Sequence, residues 1–438
     1  MTERTAVITG FGAVSSVGLS APETYNAMLR GERGIRLERD WLEEQVPAVY
    51  RPKLRSHLAG LAMDFDLLSH SLYQDVDHGR IDERYISRYY SRSAVLAALA
   101  TAEALTQAGI VTKKLELDTE PERTAFVIGT GIGGGIEIAG FQSQMEKGVR
   151  LPSTGMNKSQ PENAAIMLSM FYGAKGPNGA PPAACASGNA GIAEAVRRIK
   201  LDEADVIVAG GTEGLSYATI AMFETTGAAN TGDDPDVASR PFHAEPGGAV
   251  LSEGAGLLVL EEEAHARRRG AKILGIVAGY AETGDAHDPT MLSGEGIVKA
   301  MDLSMRRAGI SREDLLHLSA HATATPLGDE AEANAIWSAF NPKYGRSVRQ
   351  ITGNVLSTKG FTGHAVGAAN GIEAVISTMI LNEGKLPMAR WLDEARIEMW
   401  GFIPPTSRVG QTAVDAVLSN GMGFGGQNSS IVIKRYQE

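Results

Sequence analysis

Apolar, β-branched runs ending in glycine or a small polar residue recur along the chain, at Ala6 to Gly12, Ala125 to Gly131, Asp205 to Gly211, Gly256 to Glu261, Ile273 to Gly279, Leu318 to Thr323, Gln350 to Asn354, Ala416 to Gly421 and Ser430 to Lys434. Their near-continuous hydrophobicity predicts largely buried strands. Between them lie alanine-rich stretches with helical character: Ser91 to Gln107, Asn189 to Leu201, Gly296 to Ala308, Asp329 to Phe340 and Val366 to Asn382. Strands alternating with helices predict a layered α/β fold, with ligand chemistry at strand C-termini and helix N-termini. The two halves of the chain echo each other loosely, while residues 40–80 are polar and irregular and read as a partly helical insertion.

Composition narrows the class. The chain has 438 residues, 43% hydrophobic and 21% charged, which fits a globular protein with a large core built as one large domain or two ordinary ones. A formal net charge of −11 makes the surface as a whole unsuited to nucleic acid, and leaves a local basic patch open. One cysteine excludes an internal disulfide framework and a multi-cysteine metal site, and points to the reducing cytosol. The N-terminus reads as a strand rather than a secretory signal, and no apolar run has the length of a membrane span. The 51 glycines cluster after apolar runs, which predicts tight turns and close backbone approaches near a site.

That single cysteine, Cys185, stands in Pro182-Ala183-Ala184-Cys185-Ala186-Ser187-Gly188-Asn189, where an apolar run breaks into a small-residue turn and then a helix. The positive end of the helix dipole and the unpaired N–H groups there favour thiolate and offer a seat for an oxyanion. An inert core cysteine is the competing reading. Three distant segments bear on the choice: Ser319-Ala320-His321-Ala322-Thr323-Ala324-Thr325, Ser357-Thr358-Lys359-Gly360-Phe361-Thr362-Gly363-His364, and Asn420-Gly421-Met422-Gly423-Phe424-Gly425-Gly426. A cysteine with two loop-end histidines suits acyl transfer from a thioester, although each histidine alone reads as readily as a structural residue. Gly129-Thr130-Gly131-Ile132-Gly133-Gly134 has dinucleotide-binding glycine spacing, but no acidic residue follows cleanly at the end of a second strand, so it reads as a structural loop lining a site.

In order and spacing these segments resemble the β-ketoacyl synthases of carrier-protein-dependent fatty acid and polyketide synthesis, over almost the whole chain. The resemblance implies the thiolase fold, a five-layered αβαβα sandwich of two similar halves, here 1–265 with the nucleophile and 266–438 with the histidines. It implies that Cys185 takes the acyl group, that the N–H groups of Cys185 and Phe424 form the oxyanion hole, and that His321 and His364 promote decarboxylation of a malonyl thioester. It further implies that Lys359, paired with Glu332, supports the histidines, with Asp329 as another support residue, and that Thr323 and Thr325 hold the phosphopantetheine arm. Phe424 reads equally as a gate and as a core aromatic. No metal and no permanently bound cofactor are expected, and the partners implied are acyl carrier protein and a second copy of the chain, with a heterodimer possible.

Against thiolase chemistry, the chain lacks a second cysteine to act as base. Against a non-catalytic chain-length partner, it keeps Cys185. Arg80, Arg84, Arg88 and Arg92 recur at four-residue spacing and predict a basic helix stripe that could dock an acidic carrier protein, a solvated ion-paired face being equally compatible. The chain departs from the family's pattern at Ala322, at His243, Pro246-Gly247 and Ala249, and in Thr225 to Gly232, which lacks the usual arginines. These departures spare the catalytic residues and point to a specialised member.

Overall fold

Eight of the nine predicted strands form, and with a strand that begins at Asn354, the last residue of the ninth, they join one sheet among the described residues. They are β1 (Ala6–Val14), β2 (Thr124–Gly129), β3 (Val206–Glu213), β4 (Gly254–Glu262), β5 (Gly275–Gly284), β6 (His317–Ser319), β7 (Asn354–Leu356), β8 (Ala416–Gly423) and β9 (Gln427–Lys434). The structure is a computed structural model that describes residues 4–437 apart from 78, 290, 312–313, 316, 341–353 and 393–414. Positions 350–353 of the predicted Gln350 to Asn354 strand therefore lie outside the described residues.

The sheet runs β2-β3-β4-β1-β5-β9-β8-β6-β7, and its halves meet through the short pairing of Val7 with Ile276 and Ile8 with Gly275. Beyond β2, Gly179 makes an isolated parallel bridge to Val127, where β7 flanks β6 in the other half. The order Gly179-β2-β3-β4-β1 is thus repeated as β7-β6-β8-β9-β5, with the first two neighbouring pairs of each series parallel and the last two antiparallel.

Layering follows from the period-two alternation of strand side chains. Ile207, Ala209, Leu258, Leu260, Val417, Ile431 and Ile433 point to a central core shared with α3 (Ser187–Lys200) and α6 (Ala369–Glu383). Their neighbours Val206, Val208, Leu257 and Val259 point outward, under α1 (Arg92–Ala108) and α2 (Asn163–Tyr172). On the opposite outer face, Leu318, Val355, Leu418 and Val432 lie under α4 (Glu295–Ala308) and α5 (Pro326–Phe340). Helix, sheet, helix pair, sheet and helix make the five-layered αβαβα sandwich. α6 lies in the middle layer, and its residues Ala369 to Leu381 are all buried.

Glycine lets the layers approach. A Cβ on Gly188 of α3 would fall 2.5 Å from Gly371 N of α6, and one on Gly256 of β4 would fall 2.0 Å from Ile372 N. The insertion around 40–80 carries helix Arg39–Gln45, a two-stranded pairing of Arg36–Leu37 with Leu58–Ala59, and turns. Its Leu42, Val46 and Leu54 join the apolar cluster that contains Cys185. No helix among the described residues is long and apolar enough to cross a membrane.

Gly256→Ala should destabilise the fold by about 1–3 kcal/mol through overpacking against α6. Gly140→Ala, on helix Gly135–Glu146 with nothing within 4 Å, should be stabilising by about 0.5–1 kcal/mol. Urea unfolding of both variants checks the pair, and equal effects would contradict the close-approach argument.

Candidate active site

Cys185 sits in a 3₁₀ turn, Ala184–Ala186, that feeds directly into α3. Ala184, which opens the turn, has φ of 49°, a left-handed conformation uncommon for a residue with a Cβ. Ser187 Oγ accepts from Ala183 N at 3.0 Å and lies 2.6 Å from Ala184 O and 3.1 Å from Thr130 O, pinning the turn to the loop after β2. The end of β8 closes against the same turn: a Cβ on Gly423 would lie 3.1 Å from Cys185 N.

The other half brings the histidines. His364 precedes a second 3₁₀ turn, Val366–Ala368, that feeds α6, and its Nε2 lies 3.0 Å from Cys185 Sγ. Its backbone is held on the segment before β4, with His364 N donating to Val250 O at 2.7 Å and Ser252 N donating to His364 O at 3.0 Å. His321 follows β6, and its ring centroid is 5.4 Å from that of His364 at 87°. Cys185, His321 and His364 are 5%, 7% and 2% exposed, so all three lie in a nearly dry site.

Desolvation dominates the electrostatics. It pushes the Cys185 thiol up to about 12; Lys359 opposes this, Glu213 adds to it, and the cysteine's own N–H opposes it. The thiolate expected from the helix N-terminus is therefore corrected: burial outweighs the dipole, the resting group is the thiol, and His364 Nε2 is placed to receive its proton. Burial, with Lys359 second, holds His364 neutral, and the same two causes with His364 itself hold His321 neutral.

Lys359 does not pair with Glu332 as expected. Its Nζ lies 2.5 Å from Glu373 Oε1, and Glu373 also accepts from Thr358 Oγ1 at 3.1 Å and Asn370 Nδ2 at 2.7 Å. Glu332 instead receives His321 N at 2.8 Å and Ala322 N at 2.6 Å, with Asn420 Nδ2 at 3.2 Å, so it fixes the backbone that carries His321. Asp329 accepts from Phe242 N at 2.7 Å, tying α5 to the segment between β3 and β4. Glu373 was missed; its signal is a carboxylate three residues after Asn370 inside the apolar run of α6.

The glycine loop after β2 is already occupied. Glu213, at the end of β3, accepts from Gly131 N at 2.6 Å and Thr130 Oγ1 at 3.1 Å, so these donors do not await a phosphate. The segment 243–249 lies against both histidine motifs. Gly248 N donates to Ala324 O at 3.0 Å beside the His321 motif, and the strand-like stretch that follows holds His364.

A cavity of about 600 Å³ opens over Cys185, His321 and His364 and is also lined by Thr323, Thr325, Leu327, Met291, Ala228, Ala249 and Phe424. Thr323 and Thr325 lie side by side, 3.2 Å between their hydroxyl oxygens. Phe424 is 37% exposed on its glycine turn, its ring 5.4 Å from Phe223, whose ring in turn lies 6.2 Å from that of His364.

The arginine stripe is corrected. Arg84 and Arg88 share the exposed face of helix Glu83–Tyr89, but Tyr90 is extended and Ser91 caps a new helix, α1. Arg80 is drawn to the carbonyls of Lys114 and Phe171, at 2.9 and 2.7 Å. Arg92 forms an ion pair with the buried Glu253 at 2.6 Å, so it cannot serve a carrier protein.

With this geometry in hand, similarity to known proteins is specific. Residues 3–266 match the family model described as Beta-ketoacyl synthase, N-terminal domain, and residues 274–392 match Beta-ketoacyl synthase, C-terminal domain. The chain is 34% identical to 3-oxoacyl-[acyl-carrier-protein] synthase 2 of Staphylococcus aureus (strain N315), covering 98% of both. It is 35% identical to the mitochondrial 3-oxoacyl-[acyl-carrier-protein] synthase of Arabidopsis thaliana, covering 98% of this chain and 93% of that one. A solved beta-ketoacyl synthase from Burkholderia phymatum STM815 superposes with a TM-score of 0.84 at 27% identity, over 99% of this chain and 100% of the other.

Neutral buried histidines predict a pH signature. Both imidazoles are depressed from the ordinary value of 6.5, so the unfolded chain takes up their protons first, and the stability they confer is full above pH 6.5 and lost as pH falls below it. Glu213 and Asp329, each raised to about 7, give the opposite slope: the stabilisation from their folded-state protonation is lost as pH rises through that value. Melting temperatures of wild type and a His321→Asn/His364→Asn variant, measured from pH 7.5 to 5, should therefore diverge, with the wild type losing more on acidification. Parallel curves would contradict neutral burial.

Proposed function

This chain belongs to the β-ketoacyl synthase family, and we propose on that premise that it lengthens a carrier-bound acyl chain by two carbons, with Cys185 as nucleophile. The observation that carries the reading is the 3.0 Å approach of His364 Nε2 to Cys185 Sγ in a buried cavity that also holds His321.

In the first half-reaction Sγ attacks an acyl thioester while its proton passes to His364 Nε2 and on to the departing carrier thiol, leaving an acyl-cysteine. The tetrahedral oxyanion is received by the N–H groups of Cys185 and Phe424, each such donor contributing about 3 kcal/mol in the transition state. In the second, a malonyl thioester loses carbon dioxide, and N–H donation from the neutral imidazoles stabilises the enolate oxygen. The enolate carbon attacks the acyl-cysteine; the C–S bond breaks, Cys185 takes up one proton, and a β-ketoacyl thioester leaves. Lys359 keeps both imidazoles neutral through its charge and does not itself exchange a proton.

The chemistry calls for no resident cofactor or metal. The phosphopantetheine arm of an acyl carrier protein would run past Thr323 and Thr325, and Arg84 and Arg88 remain as exposed cations for carrier docking. The names of the curated relatives support an acyl carrier protein as partner. A homodimer fits the helix Gly135–Glu146, which leaves Ile138 and Met145 each 56% exposed.

Incubation with an acyl carrier protein thioester should add the acyl mass to the wild-type chain and not to Cys185→Ala, read by intact-mass spectrometry. Cys185→Gln should abolish condensation while keeping or raising release of carbon dioxide from the malonyl carrier. Absence of a wild-type adduct would refute Cys185 as nucleophile.

A further inference from the structure

The start of α6 repeats the start of α3. Ala184 and Val366 each open a 3₁₀ turn with left-handed backbone, φ 49° and 43°, and each turn runs straight into a central helix. For the β-branched Val366 this conformation is a marked outlier, held only because the surroundings determine it. In this register Gly367 is the counterpart of Cys185. The Cys185 N–H lies beside its own sulfur, whereas Gly367 N–H donates to Glu213 Oε2 at 3.0 Å.

Glu213 is 1% exposed and stands at the end of β3, where the matching strand β8 ends at Gly423 against the cysteine turn. Its carboxylate gathers further donors: Gly131 N at 2.6 Å on the same oxygen, and Thr130 Oγ1 at 3.1 Å and Ile132 N at 3.4 Å on the other. Anionic oxygen cradled by backbone N–H groups at a helix start is what an oxyanion hole provides. We propose that Glu213 is a positioning residue that permanently fills a second, internal copy of that cradle. By doing so it ties the loop packed on the cysteine turn to the turn that carries His364, and its charge adds to burial in keeping Cys185 a thiol until His364 takes the proton. Its role depends on Cys185 being the nucleophile proposed above.

Among the described residues, two charged groups act on Cys185. Lys359 draws the thiol toward ionisation and Glu213 opposes it, the two histidines being neutral and Glu373 bound to Lys359. Burial lifts Glu213 itself to about 7 against its four donors, so it is ionised at pH 8.

Glu213→Gln tests the assignment because it removes charge while keeping the brace. Its carbonyl oxygen can receive Gly131 and Gly367, and its amide can donate to the Thr130 hydroxyl, which turns to accept. Alkylation of Cys185 by iodoacetamide at pH 8, followed by intact mass, should speed up about three- to tenfold, while carbon dioxide release from malonyl carrier protein stays within about twofold. An unchanged or slower alkylation overturns the proposal, a purely structural role being expected to slow both readouts together. Should Glu213→Gln not fold, Thr130→Val, which removes one donor and leaves the carboxylate less ionised at pH 7, is compared with wild type at pH 7: faster alkylation supports, unchanged or slower alkylation overturns. Failure of wild type to take an acyl group would refute the nucleophile reading separately, since alkylation requires no thioester substrate.

Discussion

The site depends on removing water from the point where two helices begin back to back in the middle of the sandwich. Cys185, His321, His364, Lys359, Glu332, Glu373 and Glu213 are all under a tenth exposed, so each ionisable group must be neutral or paired. Lys359 is paired with Glu373, Glu332 is bound by backbone N–H groups, and Glu213 is bound by four donors. What remains neutral is the reacting trio. Breaking the Lys359–Glu373 pair from one side would cost about 3–5 kcal/mol, the penalty of an uncompensated buried charge, and would remove the cation that helps keep the imidazoles unprotonated.

Internal repetition gives that centre its geometry. Each half supplies the same strand order and one central helix opened by a strained 3₁₀ turn. The turns have diverged in chemistry: one presents a sulfur, the other follows a histidine and receives a carboxylate. Small residues make the approach feasible, since Gly188 and Gly371 bring α3 and α6 within backbone contact. The segment from Ser239 to Ser252, which contains His243, Pro246-Gly247 and Ala249, braces both histidine segments, so substitutions there bear on the placing of the histidines as well as on the cavity mouth.

Much of this was legible in the sequence because the fold is buried. Strands covered on both faces are written as unbroken apolar runs, and eight of the nine were visible as such, the strand Asn354–Leu356 starting where the predicted run ends. The cysteine, the histidines and Phe424 were legible from local context and family resemblance. Electrostatic partners were not. Glu332 and Glu373 are both near Lys359, and only the packing of α6 decides which reaches Nζ. The arginine stripe failed for a local reason: Ser91 is a strong helix cap whose side chain accepts from Ala94 N, so a new helix starts there and Arg92 turns inward. The thiolate expectation failed because a dipole effect of at most about 2 kcal/mol is smaller than the desolvation of a buried anion.

The central claim is that burial sets a neutral resting state, with thiol and both imidazoles uncharged, poised for proton transfer across one 3.0 Å contact. Nitrogen NMR of ¹⁵N-histidine-labelled protein, titrated from pH 8 to 5.5 and assigned with His321→Asn and His364→Asn, tests it most directly. The account predicts neutral imidazole shifts for both residues throughout. An imidazolium signal from either at pH 6.5 would contradict it.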